Sequence, residues 1–185
     1  MIRLLTNKST FIRNPGYLSV LLRVDHFDIL GVGKNYNINK LTIESTYKEM
    51  QKLIHPDSFA SQTKEVMESS EYLSSYINEA YTTLKDDYER SLYMLLLEGI
   101  EVKEDDKLTN LKDLETIMEL NEKIEEGTSE LMALKEDVRD KIEEIKYDFN
   151  EAMENKDLEK AKEKCILLSY YMKADDTIFQ KINEV

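Results

Sequence analysis

The sequence contains few residues that interrupt helices or form covalent cross-links. Its 185 residues include five glycines, two prolines and one cysteine. A single cysteine excludes an internal disulfide and a zinc site built from several cysteines, and it favours a reducing compartment. No apolar run approaches the ~20 residues that a membrane-spanning helix needs. From the sequence we therefore expect neither a membrane segment nor a disulfide framework.

The residues that are present favour a helical, folded chain. Hydrophobic residues make up 41% of the sequence, which is enough to bury a core. Charged residues make up 34%, and residues with high helix propensity are frequent. The formal net charge of −13 makes the chain a poor nucleic-acid binder unless its basic residues cluster. Composition thus predicts an all-α protein of one or two small domains without a nucleic-acid partner.

The N-terminal segment has the opposite charge to the rest of the chain. Its four basic residues precede the first acidic residue, Asp25, and are Arg3, Lys8, Arg13 and Arg23. This composition is typical of a mitochondrial targeting segment, so we interpret residues 1–23 in that way. The predicted location is the mitochondrial matrix or a reduced mitochondrion-related organelle, with the bacterial cytoplasm as the alternative. A disordered basic tail, or a short helix of the first domain, is the other interpretation of the segment.

Two helical patterns with a short loop between them characterise the first half of the chain. Apolar residues spaced by four, three and four positions predict a helix that ends at Ile54. A second pattern predicts a helix over residues 63–84. The tripeptide His55-Pro56-Asp57 lies between them, and the proline explains why the first helix stops. Shorter helices are predicted on both sides of this hairpin, at residues 24–30 and in a segment that ends near Gly99.

The second half contains a charged segment and three further helical patterns. Residues 99–107 have no core-forming pattern, so we interpret them as a linker between domains at residues 24–98 and 108–185. In the C-terminal domain, short turns at Gly127 and at residues 155–157 separate segments with apolar residues at three- and four-residue spacing. Such segments predict an antiparallel three-helix bundle. Cys165 belongs to one of these apolar patterns and is interpreted as a small core residue.

The tripeptide in the predicted loop has the chemistry of a binding site. Pro56 fixes its own backbone angle, so the loop loses less entropy when it docks. Asp57 offers a carboxylate that an arginine of a partner can bind with two hydrogen bonds. His55 adds a polar contact and can help to hold the shape of the loop. A histidine on the surface without a function is the simpler alternative.

Two lysines precede the loop on one exposed helix face. Lys48 and Lys52 are four residues apart and therefore neighbours on the helix. A basic face on an acidic chain can dock on an acidic surface and speed encounter. The alternative is that both are ordinary solvated residues. Because the sequence contains no convincing nucleophile–base set, phosphate-binding loop or metal-ligand spacing, we expect no enzymatic activity, no catalytic residue, no cofactor and no metal site.

Three segments in the expected order resemble a J-domain. They are residues 25–32 (Asp-His-Phe-Asp-Ile-Leu-Gly-Val), the tripeptide at 55–57, and residues 77–81 (Ile-Asn-Glu-Ala-Tyr) with Leu84. The resemblance implies a hairpin of antiparallel helices with flanking helices. It also implies binding to a DnaK/HscA-type chaperone and stimulation of its ATPase. The residues implied in this contact are His55, Pro56, Asp57, Lys48 and Lys52. A helical adaptor with a coincidental tripeptide is the alternative.

The acidic helical domain that follows the J-domain-like segment indicates which type of J-protein the chain resembles. Together with residues 88–93 (Tyr-Glu-Arg-Ser-Leu-Tyr), this arrangement looks like the HscB-type co-chaperones of iron–sulfur cluster assembly. The resemblance implies a second partner, the IscU-type cluster scaffold, which the protein would deliver for cluster transfer. Its implied binding residues are Leu114, Met118, Glu119, Glu122 and Tyr170.

The scaffold-binding assignment has two open points at the level of sequence. Asp113 and Glu115 depart from the large apolar residues that are common there in the family, so a smaller patch is expected. Leu114 and Met118 are predicted to lie on the surface, and the alternative is that they pack inside the bundle. A J-protein with a different client is the alternative function.

Overall fold

A computed structural model gives the structure of residues 24–59, 61, 63–127 and 130–183. The described residues form seven α-helices and one 3₁₀ turn at Pro56–Phe59, and no strand occurs among them, which confirms the predicted all-α class. The predicted targeting segment, residues 1–23, lies outside the described residues. The helices are α1 (His26–Ile29), α2 (Lys40–Ile54), α3 (Lys64–Lys85), α4 (Asp87–Leu97), α5 (Leu111–Glu126), α6 (Leu131–Glu154) and α7 (Leu158–Asn183).

The chain divides into two compact units, Met1–Arg90 and Ser91–Val185. The division falls inside α4, so the charged segment at residues 99–107 belongs to the second unit. The side chain of Asp106 accepts the backbone N–H of Lys103 and pairs with Lys162 on α7 at 2.7 Å. Thr109 also donates a hydrogen bond to Glu163 on that helix. These contacts hold the charged segment against α7.

The hairpin of α2 and α3 forms the centre of the first unit. The Asn39 side chain caps α2 by accepting the backbone N–H groups of Leu41 and Thr42. At its other end, His55 has an extended backbone (ψ 128°) because Pro56 follows it. The apolar faces of both helices are buried against each other. Their buried residues include Ile43, Met50, Ile54, Leu73, Ile77, Ala80 and Leu84.

The short helix α1 packs against α3 and completes this core. The Asp25 side chain caps α1 by accepting the backbone N–H of Asp28 at 2.8 Å. Gly31 follows the helix with a φ of +68°, a conformation that glycine adopts without a steric penalty. The hydroxyl of Tyr76 on α3 donates to the carbonyl oxygen of Val24, and its ring meets the buried His26 edge-on. These contacts hold α1 and the residue before Asp25 against α3.

The second unit contains the predicted three-helix bundle. Helix α7 packs against both α6 and α5. Helices α6 and α7 are antiparallel, and ion pairs between them join Arg139 to Asp175, Lys164 to Asp148 and Lys160 to Glu151. Between the helices lie buried apolar side chains, among them Ile117, Leu120, Ile124, Val138, Ile145, Phe149, Leu168 and Ile178.

Cys165 and the turns of the bundle agree with the sequence patterns. Cys165 is buried on α7, with its sulfur 3.1 Å from the hydroxyl of Ser91, so it is a core residue as predicted. Gly127 ends α5 in the left-handed conformation. Asp157 caps α7 by accepting the backbone N–H of Lys160 at 3.2 Å.

Candidate partner-binding surfaces

The His55-Pro56-Asp57 loop projects from the end of the hairpin. Helix α2 ends at Ile54, and the chain continues into the 3₁₀ turn Pro56–Phe59. The side chain of Asp57 is 92% exposed and that of His55 is 55% exposed. Because both side chains are accessible and neither belongs to the core, this loop is free to contact a partner. The structure thus brings the predicted residues of the loop together in one exposed turn.

The His55 ring contacts Asp57 within the same loop. Its Nδ1 atom lies 3.3 Å from the backbone nitrogen of Asp57 and 3.5 Å from the Oδ2 atom of the same residue. A neutral ring with an unprotonated Nδ1 accepts the Asp57 N–H, whereas a protonated ring attracts the Asp57 carboxylate. In either state His55 restrains the turn. The Asp57 carboxylate remains accessible to a partner.

The predicted basic face of α2 carries less free charge than its two lysines suggest. Lys48 pairs with Glu44 at 2.5 Å, one helical turn away. Their hydrogen bond and mutual attraction raise the pKa of Lys48 and lower the pKa of Glu44. Lys52 is exposed, and no ion pair joins it to a carboxylate of the described residues. The free positive charge of this face therefore lies at Lys52, next to the loop.

A polar cluster between α2 and α3 was not predicted from the sequence. The side-chain amide of Gln51 donates to Asn78 Oδ1 at 2.9 Å and to the Ser74 carbonyl oxygen at 3.3 Å. The Ser74 hydroxyl donates to Gln51 Oε1 at 3.0 Å, and the Tyr47 hydroxyl donates to Asn78 Oδ1 at 2.8 Å. The available signal was that polar residues repeat at four-residue spacing beside the apolar stripe of each helix.

The second predicted surface lies on α5. Its buried stripe consists of Ile117, Leu120 and Ile124. Leu114 is 38% exposed and Met118 is 57% exposed, so neither packs inside the bundle. Leu111, one turn before Leu114, is also exposed, and it extends the apolar strip. The structure therefore contains a small apolar surface of the kind expected for partner binding, and it excludes the interpretation of Leu114 and Met118 as core residues.

Acidic residues and one aromatic residue complete the predicted set. Glu119 and Glu122 are exposed on α5, whereas Tyr170 is half-buried on α7. The neighbouring Tyr171 is buried, and this burial, with the nearby carboxylates of Asp113 and Glu144, raises the pKa of its hydroxyl. Tyr171 thus faces the core on the side of Asp113. Scaffold binding by the predicted residues stays a prediction.

The described residues offer neither a metal-ligand cluster nor a membrane-spanning helix. Within the part of the chain that the structure describes, no group of three or more His, Cys, Asp or Glu residues is arranged to hold a metal ion. In the same residues, no helix combines the length and the apolar character that crossing a membrane requires.

Comparison with known proteins assigns both units to known domain families. A family model described as "DnaJ domain" matches residues 25–93, and one described as "HSCB C-terminal oligomerisation domain" matches residues 110–178. The mouse "Iron-sulfur cluster co-chaperone protein HscB" is 31% identical over 157 residues, which cover 83% of this chain and 67% of the mouse protein. The chain belongs to the HscB family of iron–sulfur cluster co-chaperones.

Two other relatives agree with this HscB assignment. The Arabidopsis thaliana "Iron-sulfur cluster co-chaperone protein HscB homolog" is 33% identical over 162 residues, 86% of this chain and 64% of the plant protein. The crystal structure of human co-chaperone protein HscB superimposes with a TM-score of 0.83 at 30% identity, covering 88% of this chain and 84% of that one. The resemblances to the J-domain and to HscB are therefore confirmed. They support a J-domain co-chaperone role in cluster assembly.

Proposed function

We propose that this HscB-type protein stimulates the ATPase of a DnaK/HscA-type chaperone and delivers an IscU-type cluster scaffold to it. The observation that carries the proposal is the exposed carboxylate of Asp57 on a restrained loop at the end of the hairpin. An arginine on the chaperone can bind this carboxylate with two hydrogen bonds. Because the hydrolysis takes place in the chaperone, the J-domain needs no catalytic group of its own.

Charge next to the loop supports the same docking mode. Lys52 carries a free positive charge one turn before His55, and Lys48 lies one turn further back on the same face. Positive side chains near a contact speed the encounter with an acidic partner and orient it. The pairing of Lys48 with Glu44 limits this contribution. Docking is thus expected to depend mainly on the loop and on Lys52.

The surface on α5 supports the second half of the proposal. Leu114 and Met118 provide exposed apolar contacts, and Glu119 and Glu122 border them with negative charge. Apolar residues at the centre of an interface with charged residues at its rim are typical of protein-binding sites. By its resemblance to the family, the half-buried Tyr170 on α7 is the aromatic residue of the proposed set. The two partners would use different units of the chain, so one protein can bind both at once.

Single-turnover ATP hydrolysis by a DnaK/HscA-type chaperone tests the proposal. We expect this protein to stimulate hydrolysis, and the scaffold to increase the stimulation further. His55→Gln and Asp57→Ala should each remove the stimulation while the circular dichroism spectrum stays unchanged, because both side chains are exposed. Glu68→Ala, which changes an exposed residue on α3, is the matched control. Stimulation without any effect of the scaffold would mean a J-protein with another client, and no stimulation by the unchanged protein would refute the proposal.

We also propose that residues 1–23 direct the protein to the mitochondrial matrix. Support comes from the basic, acid-free composition of this segment and from relatives in mouse and Arabidopsis, both eukaryotes. Fusing residues 1–23 to a fluorescent protein in a eukaryotic cell tests the proposal. Mitochondrial import is expected, and replacing its four basic residues by glutamine should abolish it. A fusion that stays outside mitochondria would contradict the proposal.

A further inference from the structure

Gln51 connects the end of α2 to α3 through both its main chain and its side chain. Its carbonyl oxygen accepts the backbone N–H of His55 at 2.9 Å, the contact that closes the last turn before the loop. Its side-chain amide bonds to Ser74 and Asn78 on α3. One residue therefore joins the start of the His55-Pro56-Asp57 loop to the second helix of the hairpin.

The orientation of the Gln51 amide is fixed by these contacts. Both N–H donors are used, one by Asn78 Oδ1 and one by the Ser74 carbonyl, and Oε1 accepts the Ser74 hydroxyl. Asn78 Oδ1 is held in turn by the hydroxyl of Tyr47. The ring of Tyr47 stacks on that of Tyr81, with centroids 4.2 Å apart. Gln51 thus belongs to a connected network rather than to an isolated pair.

Elsewhere in the loop, the local contacts act over short distances. Nδ1 of His55 reaches Asp57, and the 3₁₀ turn follows directly. These contacts restrain the shape of the loop, and the 3₁₀ turn itself packs against α3. At the last turn of α2, next to the buried Ile54, the Gln51 side chain adds a hydrogen-bonded connection to α3.

We infer that Gln51 is a positioning residue, which holds the His55-Pro56-Asp57 loop at the angle to α3 that chaperone stimulation requires. This inference rests on the proposed function, because it concerns the same chaperone contact. Gln51 acts through His55 and need not touch the chaperone. Its loss should therefore reduce the rate of hydrolysis in the complex more than it reduces the affinity of docking.

Gln51→Met tests this role, because methionine resembles glutamine in length and helix propensity but forms no strong hydrogen bonds. We expect the maximal stimulated rate of the chaperone to fall about fivefold, which corresponds to about 1 kcal/mol at 1.36 kcal/mol per tenfold. The half-saturating concentration of the protein should stay within about twofold, since the exposed docking residues are unchanged. A rise in the half-saturating concentration with an unchanged maximal rate would overturn the inference.

Variants of Ser74 separate positioning from a general loss of stability. Ser74→Ala removes the hydroxyl that binds Gln51 Oε1 and should lower the maximal rate, whereas Ser74→Thr keeps the hydroxyl and should retain it. In the Gln51→Met background, Ser74→Ala should not lower the maximal rate further, because the hydrogen bond between these two side chains is already absent. Ser75→Ala, at the exposed neighbouring position, is the matched control. Additive effects of Gln51→Met and Ser74→Ala would contradict the inference.

A measurement without the chaperone separates this inference from the proposed function. Amide hydrogen exchange by nuclear magnetic resonance reports the opening of the His55 N–H bond in the protein alone. Gln51→Met should speed exchange at His55 several-fold while the buried Ile77 amide stays unchanged. If the unchanged protein does not stimulate the chaperone, the proposed function fails. If it does stimulate, but Gln51→Met alters neither the maximal rate nor exchange at His55, only the positioning role fails.

Discussion

The guanidinium of Arg90 lies over the ring of Tyr36, with 4.7 Å between its central carbon and the ring centroid. Arg90 is 3% exposed, donates to the carbonyl oxygen of Leu84 and pairs with Asp87 at 2.5 Å. The Tyr36 hydroxyl donates to the Asp87 carbonyl oxygen at 3.1 Å, and Lys40 also pairs with Asp87. One buried cation thus joins the loop before α2 to the junction of α3 and α4.

We predict that Arg90→Met lowers the free energy of unfolding by about 2 kcal/mol, because it removes a buried charged hydrogen-bond donor. Methionine keeps the apolar contact with Tyr36 but leaves the carbonyl of Leu84 without that donor. Urea denaturation followed by far-ultraviolet circular dichroism measures the change. The control is Arg139→Met, because Arg139 is 61% exposed and its pair with Asp175 should contribute little. Equal effects of the two substitutions would contradict the prediction.

Substitutions that change the charge of α2 should raise or lower the affinity for the chaperone, depending on the sign of the change. Lys52→Ala removes the free positive charge beside the loop and should raise the half-saturating concentration about threefold at low salt. Glu44→Gln removes the carboxylate that pairs with Lys48 and should lower the half-saturating concentration by a similar factor. Chaperone ATPase assays at two salt concentrations measure both effects, which should shrink at high salt. Glu136→Gln in the second unit is the control, and an identical shift in that variant would exclude a local effect of charge.

The apolar strip on α5 should bind the scaffold. Replacing both Leu114 and Met118 by serine should weaken scaffold binding by about 2 kcal/mol, the scale of central interface residues. The melting temperature should change little because both side chains are exposed. Isothermal titration calorimetry measures the affinity. Met132→Ser, at a 66% exposed position on α6, should bind normally. Unchanged binding by the double variant would show that the scaffold contacts another surface.

The stability of the first unit should depend on the protonation of His26. Burial lowers the pKa of His26 below its usual 6.5, although the charges of Glu79 and Asp25 act in the opposite direction. The unfolded chain therefore takes up a proton at a higher pH than the folded chain. The resulting stabilisation is complete above pH 6.5 and declines as the pH falls below 6.5 towards the lowered pKa.

His26→Phe removes this titration and keeps a ring against Tyr76. We predict that the melting temperature of the unchanged protein falls more steeply than that of His26→Phe between pH 7 and 5. Thermal denaturation at several pH values measures both slopes. Carboxylates that begin to take up protons near pH 5 should contribute equally to the slopes of the two proteins. Parallel slopes would show that protonation of His26 does not limit stability.

Several features of the fold follow from rules that act over a few residues. Pro56 ends α2, Asn39 begins it, and Gly127 ends α5, each through local backbone geometry or a local hydrogen bond. Helical spacing of apolar residues also identified most of the buried positions. For the same reason, the sequence alone is sufficient to place the tripeptide at residues 55–57 in a loop between two helices.

Contacts between distant residues could not be predicted in this way. The bond from Gln51 to Asn78 and the stacking of Arg90 on Tyr36 join positions 27 and 54 residues apart. Whether they meet depends on how the helices and loops rotate when their apolar faces pack. The surface exposure of Leu114 depends similarly on how α5 packs against the other helices of its unit.

The sequence by itself determined the helices, their ends, the loop that contains the tripeptide and, through resemblance, the family. Local propensities, capping and periodicity are sufficient for the helices because they involve neighbours within about one turn. Only the tertiary structure decided which polar side chains bridge α2 and α3 and which apolar residues of α5 reach the surface. These properties depend on packing between elements, where each position is set by partners far away in the chain.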